Sequence, residues 1–129
     1  MKRKDFIKSS SLALGGASLA TQFSFASPTV LGSNERLRIG AIGINGMGWS
    51  DTKSLLKING VELVAICDVD QNVIEKRKKE LGAKAKKVRT YIDYRDLLDQ
   101  KDIDAVVIGS PDHWHALMMI HASEAGKHI

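Results

Sequence analysis

The residues with the clearest chemistry in this chain are a glycine-rich turn and an aspartate that follows the next apolar run. The turn has the sequence GINGMG at residues 43–48, after an apolar run at residues 37–42. A second apolar run at residues 61–67 is followed directly by Asp68. A turn without side chains lets the backbone approach a pyrophosphate, and the N-terminus of the following helix favours that anion. Since a carboxylate after the neighbouring strand can bind ribose hydroxyls, this order predicts a dinucleotide site.

Apolar runs and helical patterns alternate along the chain around this turn. We predict strands at residues 37–42, 61–67, 87–91 and 103–109, and helices at residues 48–57, 71–81, 94–99 and 111–125. The strands are continuously apolar, which is typical of parallel strands covered on both faces. Alternation of this kind predicts right-handed crossovers and an α/β fold with a Rossmann-like, doubly wound parallel sheet.

The last helix carries clear boundary signals. Ser110 is suited to cap its start, Pro111 fits the first helical position, and Gly126 follows its end. One stripe of this helix is expected to be buried, and it contains Trp114, Leu117, Met118, His121, Ala122 and Ala125. A fifth strand begins after Gly126 and stops, so we expect a sheet that is incomplete at its C-terminal side. The exposed edge of the fourth strand is then expected to permit self-association.

Composition and charge restrict the class of protein. The 129 residues suffice for one domain, and 43% of them are hydrophobic and 26% charged. Much of the formal charge of +4 comes from the first eight residues, so the basic character does not indicate a nucleic-acid partner. A second basic cluster, which includes Arg77, is interleaved with Glu75 and Glu80 and predicts a solvated helix face. The single cysteine, Cys67, rules out an intramolecular disulfide and is interpreted as an inert core thiol.

The N-terminal segment predicts export. A basic start precedes an apolar stretch at residues 11–25, and Ser24 and Ala26 form a small-x-small pattern suited to cleavage. The RKDFIK stretch at residues 3–8 is similar to a twin-arginine signal, with Lys4 in place of the second arginine. A general secretory signal and an uncleaved anchor are the alternatives. We therefore expect an export signal at residues 1–26, a linker at 27–35, a domain at 36–129, and an exported, periplasmic protein that meets the membrane only during export.

Four motifs, in this order, resemble the glucose–fructose oxidoreductase/inositol dehydrogenase (Gfo/Idh/MocA) family. They are the glycine turn, Asp68, the SPDHWHA segment at residues 110–116 and the AGKHI ending at residues 125–129. The PDHWHA part is the most specific, because neither nucleotide binding nor helix capping in general requires it. The resemblance extends over residues 37–129 and is greatest to the exported members that carry a twin-arginine leader.

This resemblance implies roles for individual residues. In the family the acid after the second strand, here Asp68, binds the adenosine ribose. The loop after the fourth strand lies beside the nicotinamide, which implies a cofactor-side role for Ser110, Pro111 and His115. The implied pyrophosphate contacts are Gly43, Asn45, Gly46, Met47 and Gly48. Asn45 stands where the second glycine of the fingerprint often occurs, and Gly46 is expected to supply the close approach instead.

The resemblance also implies an activity. The chain is expected to be the nucleotide-binding half of an NAD(P)-dependent oxidoreductase that acts on a sugar or polyol in the full-length enzyme. The family's catalytic lysine, in a Glu-Lys-Pro motif, and its substrate domain would follow Ile129. We therefore expect no catalytic residue here and interpret the domain as truncated. The alternative is a catalytically inactive, truncated nucleotide-binding fragment.

Other interpretations of the same residues stay open. Asp68 and Asp70 should repel a 2′-phosphate, which favours NAD, although Asp70 is better interpreted as a helix N-cap. NADP is possible if Lys76, Arg77 or Arg89 lies near the ribose. A methyltransferase would share the glycine turn and the acid but not the PDHWHA segment.

A short cluster of Asp112, His113 and His115 could suggest a metal site. Zinc sites usually need three or four convergent ligands, and no further contributor is evident, so no metal is expected. His121, on the apolar stripe, is interpreted as a half-buried, hydrogen-bonded histidine.

Overall fold

A computed structural model describes residues 36–129. The predicted export signal and linker lie outside these residues. The elements are β1 (Leu37–Ile42), α1 (Met47–Leu55), β2 (Val61–Cys67), α2 (Gln71–Leu81), a 3₁₀ helix (Gly82–Lys87), β3 (Arg89–Tyr91), α3 (Tyr94–Leu98), β4 (Ala105–Ile108) and α4 (Asp112–Glu124). Every strand and helix predicted within residues 36–129 is present, and the predicted ends differ from the observed ends by two residues at most.

The four strands form one parallel sheet in the order β3-β2-β1-β4. The chain moves outward from β1 to β3 and then crosses back to place β4 on the other side of β1. This reversal is the topological switch point at which doubly wound sheets bind ligands, at the carboxyl ends of the strands. The predicted Rossmann-like α/β class is confirmed.

Helices cover both faces of the sheet. On one face, Trp49 of α1 and Ile74 of α2 pack with Ile39 and Ile66 of the strands. The opposite face is covered by α3 and α4, whose buried members are Tyr94, Leu97, Leu98, Met118 and Ala122. The strands are therefore apolar on both sides, because both sides face helices.

At the amino edge of the sheet, an ion pair connects β1 to the residue that precedes β4. The Arg38 guanidinium donates to both carboxylate oxygens of Asp104, at 3.1 and 2.9 Å, and its backbone N–H donates at 2.8 Å. These contacts pull the pKa of the Asp104 carboxyl below its ordinary value, chiefly through the side-chain hydrogen bonds from Arg38. Beyond β4, His128 forms an isolated parallel bridge with Ala105, which corresponds to the predicted start of a fifth strand.

The predictions for the last helix need correction. Ser110 does not cap α4, because Pro111 occupies the N-cap position and no side chain caps the helix. The predicted buried stripe is correct at Met118 and Ala122, whereas Trp114 and Leu117 are 41% and 39% exposed. Ala125 is also exposed. Helix α4 packs mainly against β4 and α3. Its buried face is therefore narrower than the spacing of its apolar residues predicts. None of the helices in residues 36–129 has the length and apolar character needed to cross a membrane.

Candidate dinucleotide site

The glycine turn leads from the end of β1 into α1 and needs glycine at three positions. Gly43 and Gly46 have φ angles of 74° and 52°, which residues with a Cβ rarely adopt. Gly48 lies inside α1, and a Cβ there would come within 2.1 Å of the Gly43 carbonyl oxygen and 2.8 Å of the Gly109 Cα. The bare backbone at Gly48 and Gly109 therefore brings the start of α1 against the end of β4.

The middle of the turn is open on its outer side. A Cβ built at Gly46 would meet no atom within 4 Å, and Asn45, Gly46 and Met47 are all exposed. Asn45 keeps a negative φ, and its side-chain oxygen accepts a hydrogen bond of 3.1 Å from the Gly46 N–H. The left-handed position in the turn is thus at Gly46, one residue after the place where the fingerprint usually carries its second glycine. The backbone at Gly46 is therefore open to solvent on the outer side of the turn.

Asp68 lies at the end of β2 and contacts the turn directly. Its Oδ2 accepts a hydrogen bond of 3.0 Å from the Ile44 N–H, and its Oδ1 accepts one of 3.1 Å from the Asp70 N–H. Each carboxylate oxygen can accept more than one hydrogen bond, so both keep acceptor capacity. Asp70 caps α2, with Oδ1 accepting from the Asn72 N–H at 2.8 Å, as the sequence predicts. The acid and the glycine turn are therefore part of one site.

Arg77 was expected on a solvated helix face, and this prediction is wrong. Its side chain is buried, and its Nε–H donates a hydrogen bond of 2.8 Å to the Ile44 carbonyl oxygen. The guanidinium also pairs with Glu80 and lies 5.3 Å from the Trp49 ring centroid. The Trp49 indole N–H donates to the other Glu80 oxygen at 2.6 Å. The hydrogen bond from Trp49, together with the hydrogen bond and the charge of Arg77, lowers the pKa of the Glu80 carboxyl.

The loop after β4 forms the other side of the site. The Ser110 hydroxyl oxygen is buried without a hydrogen-bond partner in the described part of the chain. A Cβ at Gly43 would lie 2.5 Å from the Ser110 backbone nitrogen, so the two loops are in contact. His115 lies in the first turn of α4, and its Nε2 is 2.7 Å from the Ser110 carbonyl oxygen. This interaction holds the loop against the helix that follows it.

These segments enclose an open cleft of about 690 Å³ at the carboxyl ends of all four strands. Of the predicted cofactor residues, it is lined by Gly43, Asn45, Asp68, Ser110 and Pro111. Gly46, Met47, Gly48 and His115 are outside the lining, on the turn, in α1 or in α4.

The cleft also has apolar walls that the sequence analysis did not assign to the site. They include Val69 and Ile92, which are 86% and 52% exposed, and Trp114 of α4. Cys67 lies at the floor with 2% exposure, and its thiol pKa is raised to about 12, mainly by burial. Such a thiol stays protonated and unreactive, in agreement with the predicted core role.

Of the basic residues considered for a 2′-phosphate, Arg89 is bound elsewhere. Arg89, at the start of β3, donates to Asp102 at 2.7 Å near the amino edge of the sheet, so it is directed away from the ribose side.

His121 stacks on Tyr94 and its Nδ1 lies 2.8 Å from the Tyr94 hydroxyl, which confirms the half-buried, hydrogen-bonded role. Within residues 36–129, no group of three or more His, Cys, Asp or Glu side chains could hold a metal ion.

The family is established by comparison with known proteins. Residues 37–129 match the model of the Gfo/Idh/MocA oxidoreductase family, described as having an NAD-binding Rossmann fold. This chain belongs to that family, and residues 37–129 are its NAD-binding Rossmann domain.

Solved structures and curated proteins agree with this assignment. Myo-inositol 2-dehydrogenase from Lactobacillus plantarum is 39% identical, with a TM-score of 0.63 over 72% of this chain and 26% of its own. Scyllo-inositol dehydrogenase from Lactobacillus casei, solved with NAD(H) and scyllo-inositol, is 32% identical, with a TM-score of 0.64 over 73% of this chain and 27% of its own. An alpha-N-acetylgalactosaminidase from Shewanella oneidensis is 39% identical over 73% of this chain and 22% of its own length. The chain thus spans about a quarter of the length of these relatives.

Proposed function

We propose that the cleft binds NAD, with the pyrophosphate on the glycine turn and the adenosine ribose on Asp68. The observation that carries this proposal is the hydrogen bond from the Ile44 N–H to Asp68, which fixes the carboxylate beside the turn at the switch point of the sheet. Nucleotides bind at this edge in doubly wound folds because the helix N-terminus and the free backbone N–H groups converge there.

The residues present fit a dinucleotide. The open space over Gly46 allows a diphosphate to approach the backbone, and the buried Ser110 hydroxyl has a free hydrogen-bonding capacity at the other end of the cleft. The exposed Val69 and Ile92 side chains give apolar surface for the adenine ring. A cleft of about 690 Å³ lies within the range of cofactor sites. Gly43, Asn45, Gly46, Met47 and Gly48 would hold the diphosphate, and Ser110, Pro111 and His115 would form the nicotinamide side.

The charges beside Asp68 favour NAD over NADP. A 2′-phosphate would lie against the Asp68 carboxylate and close to Asp70, and like charges repel. Arg77 is already bound to Ile44 and Glu80, and Arg89 to Asp102, so neither offers a guanidinium to that phosphate. NAD is therefore the expected cofactor.

In the whole protein we propose oxidation or reduction of a sugar or polyol. When bound, the nicotinamide would accept or supply the hydride, and this domain would orient its ring and exclude water through the loop at residues 109–111. Support comes from the inositol dehydrogenases that resemble this domain. The second candidate is cleavage of a glycosidic bond by the whole protein, which the similarity to a protein named alpha-N-acetylgalactosaminidase favours.

Product analysis with the full-length protein separates the two candidates. Release of free sugar from an N-acetylgalactosaminide without net NAD reduction would favour the glycosidase, whereas stoichiometric NADH formed from a polyol would favour the dehydrogenase.

We also propose export to the periplasm, supported by the sequence of residues 1–26. Cell fractionation tests this, and an intact N-terminus in the cytoplasmic fraction would contradict it.

The cofactor proposal is tested by calorimetric titration with NAD and NADP. Asp68→Asn removes the charge and one acceptor, and we expect NAD affinity to fall by about 10- to 100-fold, since one or two charge-assisted hydrogen bonds are lost. Asp70→Asn is the matched control, because it removes a charge two residues away and asparagine caps a helix as well as aspartate. We expect this control to bind NAD within about twofold of the original chain. Equal binding by the Asp68→Asn variant would remove Asp68 from the site.

A further inference from the structure

The backbone N–H and C=O of Ile44, which belong to two consecutive peptide units, are both hydrogen-bonded to side chains from the β2–α2 segment. Its N–H donates to Asp68 at 3.0 Å, and its C=O accepts from the Arg77 Nε–H at 2.8 Å. The Ile44 side chain is fully buried against the core. Ile44 therefore has little freedom to move, although it lies within a turn whose next three residues are exposed.

The Arg77 guanidinium is itself kept in one position by two neighbouring side chains, Glu80 and Trp49, which also bind each other. Glu80 pairs with its Nη1, the Trp49 ring lies beneath it, and the Trp49 indole N–H binds the second oxygen of the same Glu80. Trp49 belongs to α1, whereas Arg77 and Glu80 belong to α2. The cluster thus connects both helices to the glycine turn.

Burying a guanidinium is unfavourable unless its hydrogen bonds are satisfied, and an apolar side chain of similar size is often at least as stabilising. The Arg77 side chain is only 7% exposed, yet it uses its Nε–H on the turn carbonyl instead of on solvent. Packing over Trp49 alone would be available to methionine or leucine. The features that these residues could not supply are the ion pair with Glu80 and the hydrogen bond to Ile44, and only the second reaches the turn.

We propose that Arg77 is a positioning residue for the cofactor: it fixes the glycine turn through the Ile44 carbonyl and so aligns the backbone N–H groups that meet the diphosphate. The inference rests on the proposed function for the ligand that the turn receives. Asp68 and Arg77 hold the two peptide units on either side of the Ile44 Cα, and loss of either contact lets the turn move. Arg77 touches no ligand in this proposal.

Two substitutions separate the hydrogen bond from the charge and the packing. Arg77→Met keeps the unbranched stem over Trp49 and loses every donor. Arg77→Lys keeps a cation for Glu80 but has no N–H at the Nε position. Ile103→Val is the control, because Ile103 is buried in the core cluster on the opposite face of the sheet and does not contact the turn.

The first measurement is hydrogen–deuterium exchange of the full chain without ligand. We expect the Ile44 amide, which its hydrogen bond to Asp68 protects, to exchange about tenfold faster in both Arg77 variants, beyond any change in the rest of the domain. Ile103→Val should raise exchange evenly or not at all at the turn. A turn that exchanges no faster than the remaining domain in Arg77→Lys and Arg77→Met would overturn the inference, whatever the cofactor result.

The second measurement is the dissociation constant for NAD, taken well below the melting temperature of each variant. Both Arg77 variants should bind NAD about tenfold more weakly, and Ile103→Val within about twofold of the original chain. Faster exchange at the turn with unchanged NAD affinity would also overturn the inference. If the original chain binds no NAD, the proposed function fails, and the exchange data alone decide whether Arg77 holds the turn.

Discussion

Gly48 and Gly109 approach each other so closely that neither can carry a side chain without a backbone shift. In a helix interior, alanine is ordinarily about 1 kcal/mol more favourable than glycine. At Gly48 we expect alanine to be less favourable than glycine, because the added Cβ would meet backbone atoms of Gly43 and Gly109, which cannot rotate away. The close packing of the first βα turn against the end of β4 therefore requires glycine at position 48.

We therefore predict that Gly48→Ala destabilises the domain by about 3 kcal/mol or more, since overpacking against backbone exceeds the usual core range. Ser50→Ala, at an exposed position of the same helix, should be within about 0.5 kcal/mol of the original stability. Urea unfolding monitored by circular dichroism measures both variants. Equal midpoints for the two would mean that α1 can move away from β4 freely.

The residues of the site differ in how far they could be predicted from the sequence. The positions of Asp68 and the glycine turn were predictable, because the order of short segments along the chain sets their place at the sheet edge. Arg77 was not, because its acceptor at Ile44 is 33 residues away and its charge pattern is the same as that of a solvated face. Ser110 has a short polar side chain suited to capping, but Pro111 takes the N-cap position instead.

At the scale of elements, the order of strands and helices followed from hydrophobic patterning, whereas the surfaces they bury did not. The periodicity of α4 marks one face, but the neighbouring elements decide how much of that face is covered. Likewise, the contact between β1 and β4 joins parts of the chain 66 residues apart. No pattern in the sequence around Arg38 or Asp104 predicts that the two side chains pair. Parallel pairing between distant strands needs such specific contacts in addition to apolar runs.

The Arg38–Asp104 pair should make stability depend on pH in the acidic range. The folded-state pKa of Asp104 lies below its unfolded value of 3.8, because Arg38 stabilises the carboxylate. Its contribution is therefore fully present above about pH 5 and is lost as the pH falls through the folded pKa. We predict that Asp104→Asn lowers the free energy of unfolding by about 1 kcal/mol at pH 7 and by less as the pH falls below the unfolded pKa of 3.8, where the contribution of the carboxylate is progressively lost.

Urea unfolding across this pH range measures the Asp104 effect. The control is Glu62→Gln, because the Glu62–Arg36 contact of 3.6 Å is largely exposed and should contribute almost nothing at either pH. A loss that stays constant between pH 7 and pH 3 would show that packing or the backbone hydrogen bond to Asp104, not its charge, joins the strands.

At the scale of the whole molecule, the described domain leaves apolar surface exposed on the side of β4. Leu117, Ile120 and Ile129 are 39%, 55% and 56% exposed, and β4 has a neighbour on its outer side only at the Ala105–His128 bridge within residues 36–129. An apolar helix face beside an open strand edge is a surface that other chains can pair with. We therefore predict that the 129-residue chain self-associates in solution.

Analytical ultracentrifugation over a range of concentrations tests this prediction. Leu117→Lys combined with Ile120→Lys places two charges on the exposed face of α4 and should shift the chain toward monomer, because like charges on facing surfaces repel. Ser123→Lys adds a charge to the same helix at an exposed polar position, so it should leave association nearly unchanged. A concentration-independent monomer with a sharp, reversible melt would contradict the prediction, and it would mean that the apolar surface beside β4 is too small to drive association.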